Sequence, residues 1–362
     1  MDPIKPQVRS IPAYTLAALE TEIKLNQNEN PFEVPDDLKQ EVLDLAAKRP
    51  WGRYPEFVPD EFLGLLADHV GWKREGMLAG NGSNELIQAI LSVTCAPGVR
   101  VLLCQPTFTL YKLLATVYGA ETVETYLRRD DLAFDIPAIV AEIERTQPAV
   151  VILNSPNNPT GTNLSLDGWR AICDAAPGLI VADQAYVEFG GDSAIPLLTE
   201  YERLIVLRTF SKAGSLAGLR VGYAACDPGI AEQIAKAKLP YNVNFFTIAA
   251  ASVVLKHQDR FEAIIELLQN ERDRVYRRLQ TMSGVRVYPS AANYLLFETP
   301  LPPDAVFRRV YDHGVLIRNV SKYPMLERAL RVSIGKPEEN DRFLAALEES
   351  LGASADSTEV TA

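Results

Sequence analysis

The sequence has few of the residues from which disulfides and metal sites are built. Four cysteines and three histidines occur among its 362 residues. The cysteines lie far apart in apolar stretches and form no C-x-x-C pair, so we expect reduced core residues. The histidines lack the spacing of metal ligands, so no metal site is predicted. The cysteines are Cys95, Cys104, Cys173 and Cys226.

Positive charge and long apolar runs are also scarce. The formal net charge is −11, and no basic stripe is present that could release counterions from a nucleic acid, so no nucleic-acid partner is expected. No apolar run approaches the length of a membrane span, and the first ten residues carry scattered charges and two prolines instead of a signal peptide. We therefore expect a cytoplasmic protein without a membrane partner.

Buried strands alternate with helical patterns through the middle of the chain. Apolar runs at 101–104, 149–153, 179–182 and 204–207 predict a mostly parallel sheet covered on both faces. Ligands of such sheets bind beyond the carboxyl ends of the strands. Each of these ends is followed by a different functional group. Taken singly, each residue has a structural explanation as core, turn former, cap or exposed lysine, but their shared position favours one site. They are Phe108, Asn158, Asp183 and Lys212.

Lys212 stands in a turn of small residues directly after the fourth of these strands. Serine, alanine and glycine around it leave room for a planar ligand. A lysine can form a Schiff base with a carbonyl when desolvation and a nearby positive charge lower its pKa. We expect Arg220 to supply that charge. A second short strand is predicted after it, at 221–225.

Residues 80–85 form a predicted glycine-rich turn that leads into a helix. Free backbone N–H groups at a helix start bind anions, and Ser83 and Asn84 add side-chain donors. The turn lacks the Lys-Ser/Thr ending of a nucleotide-binding loop. We interpret it as a candidate phosphate-binding site, and not as a dinucleotide or ATP site.

The carboxyl-terminal third has a different pattern. An amphipathic helical region at 246–282 is followed by predicted strands at 285–288, 294–297, 315–318 and 330–334 and by helices, a pattern typical of a compact α+β domain. Arg331 lies on a predicted strand among apolar neighbours and needs an anionic ligand or a salt bridge, and Arg318 lies on the strand before it. We predict an irregular arm at 1–35, a large domain at 36–265, a small domain at 266–351 and a disordered tail at 352–362.

Several motifs resemble those of the fold type I pyridoxal-phosphate aminotransferases. They are N-N-P-T-G at 157–161, D-x-A-Y at 183–186, S-K at 211–212, A-G-L-R at 217–220 and L-R-V-S-I-G at 330–335. N-E-N-P at 28–31, R-Y-P at 53–55 and G-S-N-E at 82–85 are closer to the histidinol-phosphate aminotransferase family. The resemblance extends over residues 11–351. It implies an α/β fold, with a mostly parallel seven-stranded sheet between helices and a smaller α+β domain.

The resemblance also implies how the cofactor, pyridoxal 5′-phosphate, is held. Lys212 would bond to it covalently and then move the proton. Asp183 would pair with the protonated pyridine nitrogen, Tyr186 and Asn158 would bind the 3′ oxygen, and Phe108 would stack on the ring. The residues expected to hold the phosphate are Ser83, Asn84, Ser211 and Arg220.

Other implied roles concern the substrate and a second subunit. Tyr54 would reach the cofactor phosphate of a neighbouring subunit, which implies a homodimer. Arg331 would bind the glutamate carboxylate and the substrate phosphate in alternate half-reactions, with Arg318 as a second positive charge. The arm residues expected to close over the substrate are Tyr14, Asn28, Glu29 and Asn30.

The activity implied is transamination between histidinol phosphate and 2-oxoglutarate. Gln184 stands where the family usually has glutamate, and Phe108 where tyrosine is common. Two alternatives stay open, namely an aromatic amino-acid aminotransferase and a phosphothreonine decarboxylase, which use nearly the same residues. A non-enzymatic regulator is not expected, since no DNA-binding segment precedes residue 11.

Overall fold

The computed structural model describes residues 3–13 and 19–352. Its strands are β1 (Ile23–Lys24), β2 (Met77–Gly80), β3 (Arg100–Gln105), β4 (Glu121–Tyr126), β5 (Val150–Asn154), β6 (Leu179–Asp183), β7 (Leu204–Thr209), β8 (Gly222–Ala225), β9 (Arg286–Val287), β10 (Tyr294–Glu298), β11 (Val315–Leu316), β12 (Arg318–Asn319) and β13 (Ala329–Ser333). Its α-helices are α1 (Pro6–Arg9), α2 (Asp36–Ala47), α3 (Asp60–Val70), α4 (Ser83–Thr94), α5 (Leu110–Tyr118), α6 (Ile136–Thr146), α7 (Leu166–Ala175), α8 (Pro228–Ala235), α9 (Phe245–Lys256), α10 (Gln258–Thr281), α11 (Pro303–Asp312) and α12 (Pro337–Gly352). Short 3-10 helices occur at Arg74–Gly76, Val187–Phe189, Ile195–Thr199 and Ala217–Leu219.

The central sheet has seven strands in the order β2-β8-β7-β6-β5-β3-β4. Strand β8 runs antiparallel to both of its neighbours, and the other pairs are parallel. The predicted fold class is therefore confirmed. Strand β4 was not predicted, because as an edge strand it is only partly buried and carries polar residues instead of an apolar run.

Strand β5 shows why the apolar runs form this sheet. All five of its residues are buried, with Val151 and Leu153 in the core on one face and Val150 and Ile152 in the core on the other. Each fully buried aliphatic side chain contributes about 1.5–3 kcal/mol relative to exposure. Burial on both faces removes the usual alternation of polar and apolar residues. The carboxyl ends of β5, β6 and β7 consequently meet at one edge, which is rigidly supported.

A second sheet, with the order β12-β13-β10-β9, is antiparallel. Its core includes Tyr294, Phe297 and Phe343. The single strand predicted at 315–318 is wrong, because the chain changes sheet at the buried Ile317: β11 pairs with β1, whereas β12 pairs with β13. The predicted helical region at 246–282 consists of two helices, α9 and α10, since His257 between them has a non-helical backbone conformation.

The amino-terminal segment is less irregular than expected. It contains α1, and β1 pairs in parallel with β11. At the other end, Gly352 belongs to α12, so the predicted tail is wrong at that residue, and 353–362 lie outside the described residues. All four cysteines are free, but Cys95 is only partly buried, unlike a core residue. The domain boundaries stay a prediction.

Two features are absent from the described residues. None of their helices combines the length and apolar character that a membrane crossing requires. Nor do the histidine, cysteine, aspartate and glutamate side chains within 3–13 and 19–352 assemble a group able to hold a metal ion.

Candidate active site

A cavity of about 310 Å³ lies at the carboxyl edge of the central sheet. Its walls combine the ends of β5, β6 and β7 with the start of α4, the chain around Asn28 and the strands β12 and β13. Most predicted site residues meet here. Those on its walls are Asn28, Ser83, Asn84, Phe108, Asn158, Asp183, Tyr186, Ser211, Lys212, Arg220, Arg318 and Arg331.

Lys212 presents its amine to this cavity. Its Nζ donates a hydrogen bond to the carbonyl oxygen of Gln27 at 3.0 Å and lies 5.7 Å from the centre of the Tyr186 ring. Burial, and after it the positive charge of the Arg331 guanidinium, lower the pKa of Lys212 to about 7. Arg220, the charge expected from the sequence, contributes less than Arg331 does. A large share of the amine is therefore uncharged and nucleophilic near neutral pH.

Asp183 ends β6 and is almost fully buried. Its Oδ2 accepts a hydrogen bond from the hydroxyl of Tyr111 at 2.7 Å, and its Oδ1 accepts one from the backbone N–H of Ala185 at 3.1 Å. Burial raises the pKa of Asp183, and these two hydrogen bonds oppose the rise. The carboxylate is thus held in one orientation with a second lone pair on each oxygen still available.

Tyr111 was not among the residues predicted from the sequence. This residue lies on α5 and is fully buried among apolar side chains. A buried phenol needs a hydrogen-bond partner, which was the available signal, but the sequence does not indicate which polar group lies opposite.

Two further polar groups line the same cavity. Tyr186 is buried, and its hydroxyl oxygen accepts a hydrogen bond from Nδ2 of Asn28 at 3.1 Å. Burial raises the pKa of Tyr186 to about 12, so its proton is retained at neutral pH. Asn158 is fixed by Asn154, whose Oδ1 accepts from its backbone N–H at 2.6 Å, while the Oδ1 of Asn158 accepts from the guanidinium of Arg331.

Arg331 and Arg318 are register partners on β13 and β12. The guanidinium of Arg331 is buried, donates to the carbonyl oxygen of Asn26 at 2.9 Å and lies 5.1 Å from the centre of the Tyr294 ring. Its Nε has no hydrogen-bond partner among the described residues. No carboxylate of that same part of the chain forms an ion pair with Arg331. A buried cation without an anion has a strong electrostatic preference for an anionic ligand.

The amino end of α4 forms the other end of the cavity. Gly82 precedes it with a φ of +80°, and a Cβ at this position would lie 2.6 Å from Nη2 of Arg220. Only glycine therefore allows the helix start and this guanidinium to come so close. Nη1 of Arg220 donates to Oγ of Ser211 at 3.2 Å. Helix N–H groups, hydroxyls and a guanidinium converge here, as a phosphate requires.

Three predicted residues do not line the cavity, and a fourth is not described. Tyr54 is 81% exposed and stacks on Tyr241 at 4.5 Å between ring centres, away from the cavity walls. Glu29 forms an ion pair with Lys24, and Nδ2 of Asn30 donates to the carbonyl of Ala213 at 3.2 Å, so neither side chain lines the cavity. Tyr14 lies outside the described residues.

The two departures from the family pattern have different surroundings. Phe108 lines the cavity and packs edge-on against Tyr111. Gln184 is fully buried outside the cavity walls, where its Nε2 donates to the carbonyl of Asp192 at 2.7 Å and its Oε1 accepts from the N–H of Ala194 at 3.0 Å. A glutamate there could accept but, when ionised, could not donate.

Residues 20–347 match the family model of aminotransferase class I and II. The chain belongs to this family. The histidinol-phosphate aminotransferase of Chlorobium phaeovibrioides is 38% identical over 346 residues, which cover 95% of this chain and 96% of the relative. That of Chromobacterium violaceum is 39% identical over 347 residues, with 95% and 97% covered. The resemblance expected from the motifs is confirmed.

Solved structures agree with this membership. The histidinol-phosphate aminotransferase of Sinorhizobium meliloti, solved in complex with pyridoxal 5′-phosphate, superposes with a TM-score of 0.88 at 25% identity and covers 98% of this chain and 99% of its own. The L-threonine-O-3-phosphate decarboxylase of Porphyromonas gingivalis has a TM-score of 0.80 at 23% identity, covering 91% of this chain and 99% of its own, and shares the fold.

Proposed function

We propose that this aminotransferase transfers the amino group of L-histidinol phosphate to 2-oxoglutarate, forming imidazole acetol phosphate and L-glutamate, as a step of histidine biosynthesis. One observation carries this proposal: Arg318 and Arg331, paired across neighbouring strands, both line the cavity that contains Lys212. Two guanidinium groups favour a dianionic phosphate, which they can bind through several N–H donors. The names of the relatives support the same substrate.

The cofactor is pyridoxal 5′-phosphate, as the sequence predicts. When bound, it supplies an aldehyde that accepts an amino group and a ring that withdraws electrons from the substrate Cα. The residues present fit its three polar parts, because an anion site at the start of α4, the buried carboxylate of Asp183 and the amine of Lys212 all line one cavity. Ser83, Asn84, Ser211 and Arg220 would hold the phosphate, and Phe108 would lie against the ring.

Each side chain then has a task that follows from its surroundings. Lys212 has a lowered pKa, so its Nζ can first act as a nucleophile and, once released, carry the proton that leaves Cα. Asp183 would stabilise a proton on the pyridine nitrogen, because its own charge is buried and the two donors that contact it, the Tyr111 hydroxyl and the Ala185 N–H, are neutral. The hydroxyl of Tyr186 and the amide of Asn158 would bind the 3′ oxygen.

The two arginines would bind the far end of each substrate. Arg331 would bind the carboxylate of glutamate in one half-reaction and the phosphate of histidinol phosphate in the other. Arg318 would add a second charge for the phosphate. Each charged hydrogen bond contributes about 1.5–3 kcal/mol, so two would favour a phosphate-bearing donor by roughly 10²–10⁴ in kcat/KM.

A substrate panel tests this assignment. The expected order places histidinol phosphate above histidinol, phenylalanine and tyrosine in kcat/KM, with 2-oxoglutarate as acceptor. Equal turnover of phenylalanine or tyrosine would favour an aromatic aminotransferase. Release of carbon dioxide from phosphothreonine, whose phosphate the same arginines could bind, would instead favour the decarboxylase.

The chain would work as a homodimer, because several large apolar side chains are exposed. Trp51, Tyr54, Phe57 and Leu239 are each more than two-thirds exposed, and Tyr241 stacks on Tyr54. Large exposed apolar patches are typical of subunit interfaces. Tyr54 would reach the cofactor phosphate of the partner subunit.

Subunit mixing tests the shared site. In a heterodimer of Tyr54→Phe and Lys212→Ala subunits, one site carries both defects and the other carries neither. Mixing should therefore raise activity above the sum of the two parents. Failure to do so after measured subunit exchange would contradict the assignment of Tyr54. The cytoplasmic location stays a prediction.

A further inference from the structure

Asn28 joins the amino-terminal segment to the site through hydrogen bonds at each of its polar groups. The residue is 1% exposed and has a φ of +55°. Its backbone N–H donates to Oγ of Ser333 at 2.8 Å, and its backbone carbonyl accepts from Nδ2 of Asn293 at 3.2 Å. Its side-chain Oδ1 accepts from Oγ of Ser333 at 3.1 Å, and its side-chain Nδ2 donates to the hydroxyl oxygen of Tyr186 at 3.1 Å.

The hydroxyl of Ser333 fixes the orientation of the Asn28 amide. Ser333 is buried, and its oxygen accepts the Asn28 backbone N–H, so its single proton needs an acceptor. The contact with Oδ1 of Asn28 provides that acceptor. Turning the amide over would leave the serine proton without an acceptor among its contacts here, which disfavours that state by a factor of roughly 10 or more. Nδ2 therefore faces Tyr186.

This orientation determines the direction of the Tyr186 proton. A phenol has one proton to donate, and the side of the oxygen that faces Asn28 is used to accept. The free direction is into the cavity that Tyr186 lines. We propose that Asn28 and Ser333 are positioning residues that direct the Tyr186 hydroxyl proton toward the 3′ oxygen of the cofactor. The inference rests on the proposed assignment of Tyr186 to that oxygen.

Two features of the fold support this arrangement. The retained proton of Tyr186 is available to donate, because burial raises the pKa of this phenol to about 12. Asn28 and Ser333 are also 305 residues apart, and Ser333 ends β13, the strand that carries Arg331. The hydrogen-bond direction at the cofactor is therefore set by contacts that form only when the amino-terminal segment lies against the second sheet.

Asn28→Asp is the variant that tests the proposal. Aspartate has the same shape and tolerates a positive φ, but both of its oxygens accept. Tyr186 would then donate to residue 28 and away from the cavity. The 3′ oxygen would hold the proton of the Lys212–cofactor linkage more strongly, so the pKa of that linkage should rise by about one unit or more. An absorbance titration of the cofactor-loaded protein without substrate measures this pKa.

The new negative charge would by itself raise a neighbouring pKa, so a control is required. In a Tyr186→Phe background, most of the Asn28→Asp shift should disappear if it acts through the phenol. Ser333→Ala adds no charge and frees the amide to turn, so it should raise the pKa in the same direction but by less.

Either of two results would overturn the proposal. One is an Asn28→Asp shift of equal size in the Tyr186→Phe background, and the other is an unchanged pKa in Ser333→Ala. Should Asn28→Asp fail to fold, Ser333→Ala decides the question alone. The titration uses no substrate, so failure of the proposed substrate in the panel would be a separate result.

Discussion

Replacing Tyr111 by phenylalanine removes one hydroxyl and leaves the buried carboxylate of Asp183 with one donor fewer. Burial raises the pKa of Asp183 above the value of 3.8 in the unfolded chain. The folded apoprotein therefore binds this proton more tightly than the unfolded chain does, and its stability falls as the pH rises from 3.8 through the folded pKa. The Tyr111 hydrogen bond is the largest contribution that opposes this loss.

The expected magnitude follows from a hydrogen bond to a buried charge, about 1.5–3 kcal/mol. The entropy of unfolding is ~2.1 cal/mol/K per residue, or ~0.76 kcal/mol/K for a chain of 362 residues. Tyr111→Phe should thus lower the Tm of the apoprotein by about 2–4 °C where Asp183 is ionised. The decrease should be smaller at acidic pH, where the carboxyl is protonated and the hydrogen bond is neutral.

Thermal unfolding of the two apoproteins across a range of pH measures this difference. Tyr118→Phe is the matched control, since Tyr118 ends the same helix and does not contribute to the pKa shift of Asp183. A Tm difference that stays constant with pH, or that shrinks as the pH rises, would refute the argument. A large Tm loss in the control would attribute the effect to packing of α5.

Lys212→Ala should abolish both catalysis and covalent trapping of the cofactor by borohydride, and trapped cofactor in this variant would exclude Lys212 as the attachment point. The pKa of Lys212 is lowered from 10.5 to about 7 in the folded protein. The wild-type apoprotein should therefore gain stability relative to Lys212→Ala as the pH rises from about 7 to 10.5, which urea titrations can measure. Arg331→Ala should slow both half-reactions. In single-turnover assays, Arg318→Ala should slow the reaction of the phosphate-bearing substrate more than that of glutamate; equal rate losses would contradict the role of Arg318 in binding the phosphate. Gln184→Glu should lower the free energy of unfolding by about 1–3 kcal/mol through the lost donor, with little change in kcat; the reverse pattern would place Gln184 in the reaction.

The continuous apolar runs were enough to predict the buried strands, because a strand covered on both faces has no polar positions. Strand β4 lacked this signal, since half of an edge strand faces solvent. The change of sheet at Ile317, between β11 and β12, also has no signal in the sequence, because the apolar pattern of a strand does not depend on which sheet the strand joins.

The sequence also predicted which residue types form the site. Asp183, Tyr186 and Lys212 each stand at or just beyond the end of a strand, and parallel strands bring their carboxyl ends to one edge. The motifs then identified the family, because their order and spacing are specific.

The partners of these side chains were decided only by the tertiary structure. Tyr111 and Asp183 are 72 residues apart, and Asn28 and Ser333 are 305 apart. Arg331, and not the nearby Arg220, is the charge that most lowers the pKa of Lys212. Hydrogen bonds and charge interactions depend on distance and direction in space, whereas periodicity in the sequence reports only which face of an element is buried. The sequence therefore determined which groups reach the site, and the packing of the amino-terminal segment and second sheet against the first decided how they are oriented.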